Sequence, residues 1–567
     1  MMTGSTLLRC ALKQTACLFF CASAGSVFAA SPFDVPRVRQ SDLTRPTSTA
    51  RVESAAVFPY EFRSIDGSGN NPIDPTRGAT NIPLLRFTTI DYGDGHGSPA
   101  GANQPGAREL SNFVFAQEHH VPCAKNVSDY IWQWGQFIDH DIDLTPGVDP
   151  VEPFDIPVPP GDPWFDPDGT GTQVIALDRS LYLMIHGIRQ QVNTITAFID
   201  ASQVYGSDQA RARELRTLDG TGRLKTSDGQ LLPYNIHGFP NAPDNSPGYF
   251  LAGDLRANEQ VGLTALHTLF VREHNSWATR IKRQEPFLDG DAIYYRARAI
   301  VGAEMQVITY RDFLPLLLGP NALDPYRGYN PRLDPSIANS FSTAAYRVGH
   351  TLLPPTLLRL DANNQSIGDL DLAQAFFNPT EISGPGIEPY LRGLAKQIPQ
   401  EVDCYMIDGV RNFLFGPPGA GGFDLAALNI QRGRDHGLPR YNQARIDFGL
   451  APKSTFAAIT SDPALQIRLA TAYATPYDLD LWVGALAEDH INGGLAGELC
   501  FTILRDQFTR LRDGDRFWYQ RYLPPDLARL VERQTLSRII RRNTAIGSEL
   551  QADVFLVPEF EVSPESD

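Results

Sequence analysis

The chain has 567 residues, and its 49 Lys and Arg residues against 65 Asp and Glu residues give a formal net charge of −16. This acidic balance argues against a nucleic-acid partner, because a phosphate backbone selects for a basic surface. Hydrophobic residues make up 42% and charged residues 20%, which is the balance of a globular protein and excludes wholesale disorder. The 47 Gly and 44 Pro residues predict long irregular connections between helices.

The first 29 residues have the pattern of a secretory signal peptide. Arg9 and Lys13 form a short basic region, an apolar stretch follows at residues 16–28, and residues 27–29 make a small-x-small cleavage site. No later segment offers 18 uninterrupted apolar residues, so stable membrane insertion is not expected. The sequence therefore predicts a secreted or periplasmic protein.

The rest of the chain is expected to form one large, mainly α-helical body. Residues 30–55 are predicted to be a variable N-terminal arm, and Gly, Asn, Pro and Asp predict ordered loops up to about residue 108. Ser128 is a plausible helix N-cap, followed by apolar residues at three- and four-residue spacing. Apolar periodicity predicts three further helices, and Pro354 ends the last of them: 259–282, 291–310 and 342–353. Alternating strand patterns are scarce, so little sheet is expected.

Three cysteines follow the predicted signal peptide, at Cys123, Cys404 and Cys500. An odd number permits one internal disulfide at most, and the sequence does not decide whether it forms. Cys500 lies in the mostly apolar run 495–504, which favours a buried small hydrophobic side chain over a reactive thiol.

The most unusual short motif is Trp-Gly-Gln-Phe-Ile-Asp-His-Asp at residues 134–141. Side chains on an α-helix step by about 100°, so Asp139, His140 and Asp141 cannot all bind one metal ion. Asp139 and His140 are expected on one face and Asp141 on another. Taken alone, the motif is equally typical of a polar helix end with an exposed histidine.

Four more segments combine polar residues in ways that have both a chemical and a structural interpretation. Arg256 and Glu259 would share a helix face, as a functional pair or a surface ion pair. His350 lies on an apolar helix face, where a histidine is more often a hydrogen-bonded core residue than a ligand. Residues 428–437 form a polar cluster after an apolar turn. Residues 196–202 offer alternating oxygen atoms, which suit Ca²⁺ or an ordinary loop.

In this order, the segments resemble the animal-type haem peroxidases, and the similarity spans about residues 55 to 550. The resemblance implies a large helical fold with long loops, a peroxidase domain at 56–555 and an acidic tail at 556–567. The similar blocks are these: 134–146, 254–275, 309–319, 347–350, 424–442 and 512–518.

The resemblance also implies the catalytic residues. His140 corresponds to the distal histidine, which moves a proton between the oxygen atoms of H₂O₂. Arg256 corresponds to the distal arginine, whose fixed cation stabilises the charge that develops as the O–O bond breaks. Gln136 corresponds to a glutamine that helps to position water or a halide.

Haem b is the implied cofactor, with His350 as its proximal iron ligand. By the same resemblance, Asn429 hydrogen-bonds that imidazole, and Arg347 pairs with a haem propionate. Asp139 and Glu259 correspond to carboxylates that form ester links to haem.

Ca²⁺ is the second implied cofactor. One of its implied ligands, Asp141, is adjacent to the distal histidine His140, so the ion would fix the distal helix in place. The residues that correspond to the calcium ligands of the family are the following: Asp141, Thr196, Phe198, Asp200 and Ser202. The remaining histidines, among them His267, His274 and His436, are interpreted as structural or surface residues.

Gln260 departs from some members of the family, in which a methionine follows the esterified glutamate and makes a third, sulfonium link to haem. The absence of this sulfonium link favours bromide, iodide or thiocyanate over chloride as the oxidised anion. Aromatic donors are also expected, through the compound I intermediate of the family. The oligomeric state is not predicted.

Two other functions remain open. A fatty-acid oxygenase of the cyclooxygenase branch would carry a radical-forming tyrosine three residues before the proximal histidine, where this chain has Arg347; Tyr346 lies four residues before it. A non-catalytic secreted haem or matrix protein would be expected to lose His140, Arg256 or His350, and all three are present.

Overall fold

The computed structural model describes residues 38–39, 61–419 and 422–558. The predicted signal peptide, almost all of the predicted N-terminal arm and residues 559–567 of the predicted acidic tail lie outside the described residues. The described residues belong to one unit, Ser31–Asp567. No helix in those ranges is long and apolar enough to cross a membrane.

Helices dominate the described part of the chain, as the sequence predicts. The longer ones are α2, α5, α6 and α18, which supply much of the buried hydrophobic core. The α-helices have these bounds: α1 (Ala107–Leu110), α2 (Tyr130–Ile142), α3 (Ser202–Tyr205), α4 (Gln209–Glu214), α5 (Val261–Gln284), α6 (Gly290–Ile308), α7 (Leu314–Leu318), α8 (Asn339–Thr343), α9 (Leu372–Ala375), α10 (Thr380–Ser383), α11 (Glu388–Lys396), α12 (Asp408–Arg411), α13 (Leu425–Asp435), α14 (Tyr441–Asp447), α15 (Phe456–Ile459), α16 (Pro463–Ala472), α17 (Leu481–Ala487), α18 (Glu498–Asp513), α19 (Tyr519–Tyr522), α20 (Pro525–Glu532) and α21 (Leu536–Asn543).

The strands are short and make only small sheets. Strand β7 is the centre of an antiparallel three-stranded sheet in the order β2-β7-β6, β1 pairs with β3 in parallel, and β4–β5 and β8–β9 are antiparallel pairs. The strand bounds are β1 (Val38–Arg39), β2 (Ile82–Pro83), β3 (Val148–Asp149), β4 (Ile156–Pro157), β5 (Val174–Ile175), β6 (Tyr182–Ile185), β7 (Ile188–Asn193), β8 (Thr356–Leu357) and β9 (Leu370–Asp371).

Helix α2 begins two residues after its predicted cap. The Ser128 hydroxyl still accepts a hydrogen bond from the Tyr130 amide at 3.2 Å, which satisfies one of the free N–H groups at the helix start. Trp134 and Phe137 then pack on Phe270 of α5, with ring centroids 5.8 and 5.2 Å apart. This packing fixes α2, which carries the Asp-His-Asp motif, against the core.

The prediction of one continuous helix over 342–353 is wrong. Helix α8 ends at Thr343, Ala344 leaves helical geometry with φ −135° and ψ −70°, and residues Ala345–Thr351 form a 3₁₀ helix. A 3₁₀ helix completes one turn in three residues, so Arg347 and His350 lie on the same side of it. An α-helix would turn them apart by about 60°.

The three cysteines of the described chain are buried and free: no disulfide joins Cys123, Cys404 or Cys500. Burial raises the pKa of the Cys123 thiol to about 12. Cys500 is 2% exposed, as its apolar surroundings predict. The core of the described chain is therefore held together without covalent cross-links.

Candidate active site

A cavity of about 210 Å³ brings together residues from α2, the loop before α5 and the 3₁₀ helix. Apolar side chains, mostly Leu and Phe, supply most of its exposed surface, and polar side chains about as numerous lie among them. Such a lining is typical of a site for a large, mainly apolar ligand with charged substituents. Seven of the predicted site residues line it: Gln136, Asp139, His140, Arg256, Glu259, Arg347 and His350.

The Arg256 guanidinium is held by a dense set of hydrogen bonds. Its Nε and Nη2 donate to the two carboxylate oxygens of Asp254 at 2.9 and 3.0 Å, and Nη2 also donates to the Asp143 carbonyl at 2.9 Å. Nη1 is 3.3 Å from Asp139 Oδ2. Burial acts to raise the pKa of Asp254, but the charge of Arg256 and the nearby His140 hold it well below its usual range. Arg256 is thus a fixed cation at the edge of the cavity.

His140 lies between two carboxyl groups. Its Nδ1 is 3.6 Å from Asp254 Oδ1, and its Nε2 is 3.8 Å from Glu259 Oε2. Burial and the neighbouring Arg256 charge lower its pKa well below the usual value. The imidazole is therefore neutral at neutral pH and able to accept a proton.

The two cavity carboxyls, Asp139 and Glu259, have raised pKa values because burial disfavours their charged forms: about 7 for Asp139 and about 8 for Glu259. Gln136 Nε2 donates to Glu259 Oε2 at 3.0 Å. Gln260, next in sequence, caps α5: its Oε1 accepts a hydrogen bond from the Gly262 amide at 2.6 Å. Its Nε2 donates a hydrogen bond to Gln133.

A second polar group on the cavity wall links His350, Asn429 and Arg347. The Asn429 side-chain amide meets His350 Nδ1 at 2.8 Å, and Arg347 Nη1 donates to Asn429 Oδ1 at 2.8 Å. Burial lowers the pKa of His350 to about 3, so the ring is neutral and able to act as a ligand. The contact as it stands sets the Asn429 Nδ2 donor against Nδ1, whereas a histidine that binds a metal through Nε2 donates its proton from Nδ1. Metal binding would therefore require the Asn429 amide to turn its oxygen to the ring.

These residues fit a haem group. A neutral histidine with an oriented ring, an arginine beside it and two carboxyl groups with raised pKa values all face one largely apolar cavity. The set matches the needs of an iron ligand, a propionate partner and groups for covalent attachment.

Four of the five predicted calcium ligands, Asp141, Thr196, Asp200 and Ser202, are linked by hydrogen bonds on the other side of the last turn of α2. Asp141 Oδ2 accepts from the amides of Asp200 and Ala201 at 3.0 and 3.1 Å. The Ser202 hydroxyl donates to the Asp141 carbonyl at 2.7 Å, and Thr196 Oγ1 donates to Asp200 Oδ1 at 3.2 Å.

The carboxylates of Asp141, on α2, and Asp200, on the loop, are both buried. Burial, with the other carboxylate nearby, raises the pKa of Asp141 well above its usual value, and burial raises that of Asp200. Two close buried carboxyls with hydroxyl and carbonyl oxygens beside them form a set that suits Ca²⁺. No cluster of three or more His, Cys, Asp or Glu residues that could hold a metal occurs in the described ranges.

Sequence reasoning missed two residues of the site. Asp254 stands two residues before Arg256, and that spacing is the only local signal of their pairing. Arg432 lines the cavity, and its charge, after burial, contributes to lowering the pKa of Arg347 to about 10. His436, interpreted as structural or surface, is buried, with Asn339 Oδ1 at 2.8 Å and Ser180 Oγ at 2.7 Å.

Three relatives are similar to this chain in sequence. Peroxinectin A of Dictyostelium discoideum is 35% identical over 518 residues, which cover 87% of this chain and 96% of that protein. Human eosinophil peroxidase is 37% identical and covers 90% of this chain and 79% of its own. Drosophila melanogaster peroxidasin is 37% identical, but the match covers only 34% of its length.

Solved structures give the same result. Peroxidase A from Dictyostelium discoideum superposes with a TM-score of 0.82 at 33% identity, over 88% of this chain and 100% of that one. A fatty acid α-dioxygenase from Oryza sativa superposes with a TM-score of 0.75 at 23% identity, which shows a shared fold alone. The sequence model of the animal haem peroxidase family matches residues 62–555. The chain therefore belongs to the animal haem peroxidase family and is a haem peroxidase.

Proposed function

We propose that the protein is a secreted enzyme that reduces H₂O₂ at the cavity described above and oxidises small anions or aromatic donors. The observation that carries this proposal is the meeting, in one cavity, of a neutral histidine beside a fixed arginine (His140 and Arg256) with an oriented second histidine (His350). The signal-peptide pattern of residues 1–29 supports secretion.

His350 would hold haem b through its iron, Arg347 would pair with a propionate, and Asp139 and Glu259 would supply the carboxyl groups for ester links. When bound, haem supplies the iron at which peroxide is reduced and the oxidising power that is passed to the donor. Asn429 would fix the His350 ring by its hydrogen bond. In the haem-bound enzyme, Arg347 would exchange its contact with Asn429 for the propionate.

The chain's own residues would handle the protons and the charge. His140 accepts a proton from peroxide at Nε2, because the ring is neutral and Nε2 lies 3.8 Å from the cavity carboxyl Glu259. It returns that proton to the departing oxygen, which leaves as water. Arg256 stabilises the negative charge on that oxygen from a position already fixed by Asp254.

The donor would be a small anion such as bromide, iodide or thiocyanate, or a small aromatic molecule. Gln136 and Arg256 line the cavity and provide donor groups that can orient an anion. Gln260 stands where a third haem link would require methionine, which supports easily oxidised anions over chloride.

Ca²⁺ is proposed as the second cofactor, held by oxygen atoms of Asp141, Thr196, Phe198, Asp200 and Ser202. The ion would compensate the two buried carboxylates and fix the loop to the last turn of α2. That turn carries His140, so the loop supports the histidine's position.

The test is peroxide turnover by the purified haem-loaded protein with a panel of chloride, bromide, iodide, thiocyanate and phenols. We expect a Soret band, bromide or iodide oxidation above chloride oxidation, and haem that resists acid–acetone extraction. Arg256→Ala and His140→Ala should each slow the reaction with peroxide by about 10²-fold or more. Arg434→Ala is a matched control, because Arg434 is another buried arginine paired with an aspartate. Turnover at the parent rate by Arg256→Ala would overturn the mechanism.

Fatty-acid oxygenation is the second candidate, and one observation favours it. Tyr346 lines the cavity, and its buried phenol oxygen has no hydrogen-bond partner within the described structure. Oxygen uptake with a long-chain fatty acid, compared between the parent and Tyr346→Phe, tests this function directly.

A further inference from the structure

Asp254 is the buried anion behind the cavity. Its carboxylate accepts three hydrogen bonds from Arg256: from Nε at 2.9 Å, from Nη2 at 3.0 Å and from the backbone amide at 2.8 Å. Such a two-pronged contact fixes both the position and the plane of a guanidinium. Only Nη1 of Arg256 is left to face Asp139 on the cavity wall.

The same carboxylate faces His140. Nδ1 of His140 is buried, has no hydrogen-bond partner in the described structure, and lies 3.6 Å from Asp254 Oδ1. A neutral imidazole carries its proton on one nitrogen only. A carboxylate on the Nδ1 side favours the proton there, which leaves the lone pair of Nε2 toward the cavity.

Asp254 is itself held firmly. It is 4% exposed, and its amide donates to the Gln203 carbonyl at 3.0 Å. The preceding Gly253 packs so closely on α3 that a Cβ there would lie 2.4 Å from the Ser202 carbonyl oxygen. The glycine thus permits the segment before Arg256 to rest on the loop that carries Asp200 and Ser202.

We propose that Asp254 is a positioning residue for peroxide reduction: it fixes the Arg256 guanidinium and sets the orientation and tautomer of His140. This inference rests on the proposed roles of His140 and Arg256. Asp254 does not line the cavity itself and acts through these two side chains. Its part resembles that of an acid that orients a catalytic histidine without exchanging protons.

The test is Asp254→Asn in the haem-loaded enzyme. We expect the rate constant for reaction with H₂O₂ to fall by roughly 10- to 100-fold, with an unchanged KM for the anion donor. Cyanide affinity, a binding measurement that also needs the distal histidine and arginine, should fall as well, while the haem content stays at the parent level.

The matched control is Asp480→Asn. Asp480 binds Arg434 with the same geometry, Nε at 2.9 Å and Nη2 at 3.0 Å, and neither residue lines the active-site cavity. Its replacement should lower stability without changing the reaction with peroxide or the cyanide affinity. An equal loss of rate in both variants would overturn the positioning role.

A double-mutant cycle separates the possible outcomes. If Asp254 acts through Arg256, Asp254→Asn should lower the rate constant for H₂O₂ much less in the Arg256→Ala background than in the parent. Losses of activation free energy that are fully additive in the double variant would overturn the proposal. If Asp254→Asn fails to retain haem, Asp254→Glu can be measured instead, because it keeps the charge but displaces the carboxylate by one methylene. A rate constant for H₂O₂ within twofold of the parent in Asp254→Glu would then contradict the positioning role. A normal rate in Arg256→Ala would instead contradict the proposed function.

Discussion

The last turn of α2 separates two groups of carboxyls that differ in their hydrogen bonding. On the cavity side, Asp139 and Glu259 have few donors and face open volume. On the loop side, Asp141 is surrounded by the amides of the loop and by Ser202. The first group is left available for chemistry with a ligand, whereas the second is committed to holding two segments of the chain together.

The largest expected effect is on the cavity side. His350→Ala should abolish stable haem binding, since it removes the imidazole that contacts Asn429. The Soret absorbance after haem reconstitution and gel filtration measures this. His274→Ala is the control, because His274 is buried on α5 and bonded to Tyr205 and the Gly222 carbonyl; full haem retention by His350→Ala would contradict the assignment.

On the loop side, we expect Asp141→Ala to remove the response to calcium. A ligand that binds only the folded state stabilises it by about 2.7 kcal/mol at a hundred times its Kd. The parent should therefore gain thermal stability when Ca²⁺ replaces a chelator, and Asp141→Ala should not. Asp162→Ala disrupts another buried aspartate, paired with Arg108, and should keep the response. A calcium response of parent size in Asp141→Ala would locate the ion elsewhere.

The smallest effect is on pH dependence. The folded, haem-free protein holds a proton on Glu259 up to a pKa of about 8, above the ordinary value of 4.5. This contribution to stability is present at acid pH and is lost as the pH rises through about 8. Glu259→Gln cannot lose it, so its stability relative to the parent should increase by on the order of 2 kcal/mol between pH 5 and pH 9.

Urea unfolding of the haem-free proteins at several pH values measures that difference. Glu118→Gln, at an exposed carboxylate, should follow the parent at every pH. A constant difference between Glu259→Gln and the parent would mean that Glu259 titrates normally in the cavity.

The predictable part of the fold was the part with regular apolar spacing. Helices α2, α5 and α6 begin within two residues of their predicted starts, because their buried faces repeat with the helical period. The 3₁₀ helix was not predictable: over seven residues, periods of 3.0 and 3.6 leave nearly the same apolar pattern. Its consequence is functional, since it places Arg347 and His350 together on Asn429.

The candidate site likewise has a part that the sequence predicts and a part that only the structure shows. Family similarity supplied His140, Arg256 and His350, which carry recognisable motifs. The role of Asp254 depends on two contacts in space, one of them with a residue more than a hundred positions away. No local pattern encodes such a contact, so only the structure shows it.

Gln260 links the chemistry of the cavity to the architecture of the fold. Its side chain caps the 24-residue helix α5 and donates to Gln133 and Gln136. A methionine engineered here to strengthen the oxidant would remove that cap, a loss of about 1 kcal/mol, and would take from the buried Gln133 Oε1 the donor that Gln260 provides. Protein engineers who seek chloride oxidation from this scaffold therefore face a trade-off: they must redesign the start of α5 together with the haem linkage.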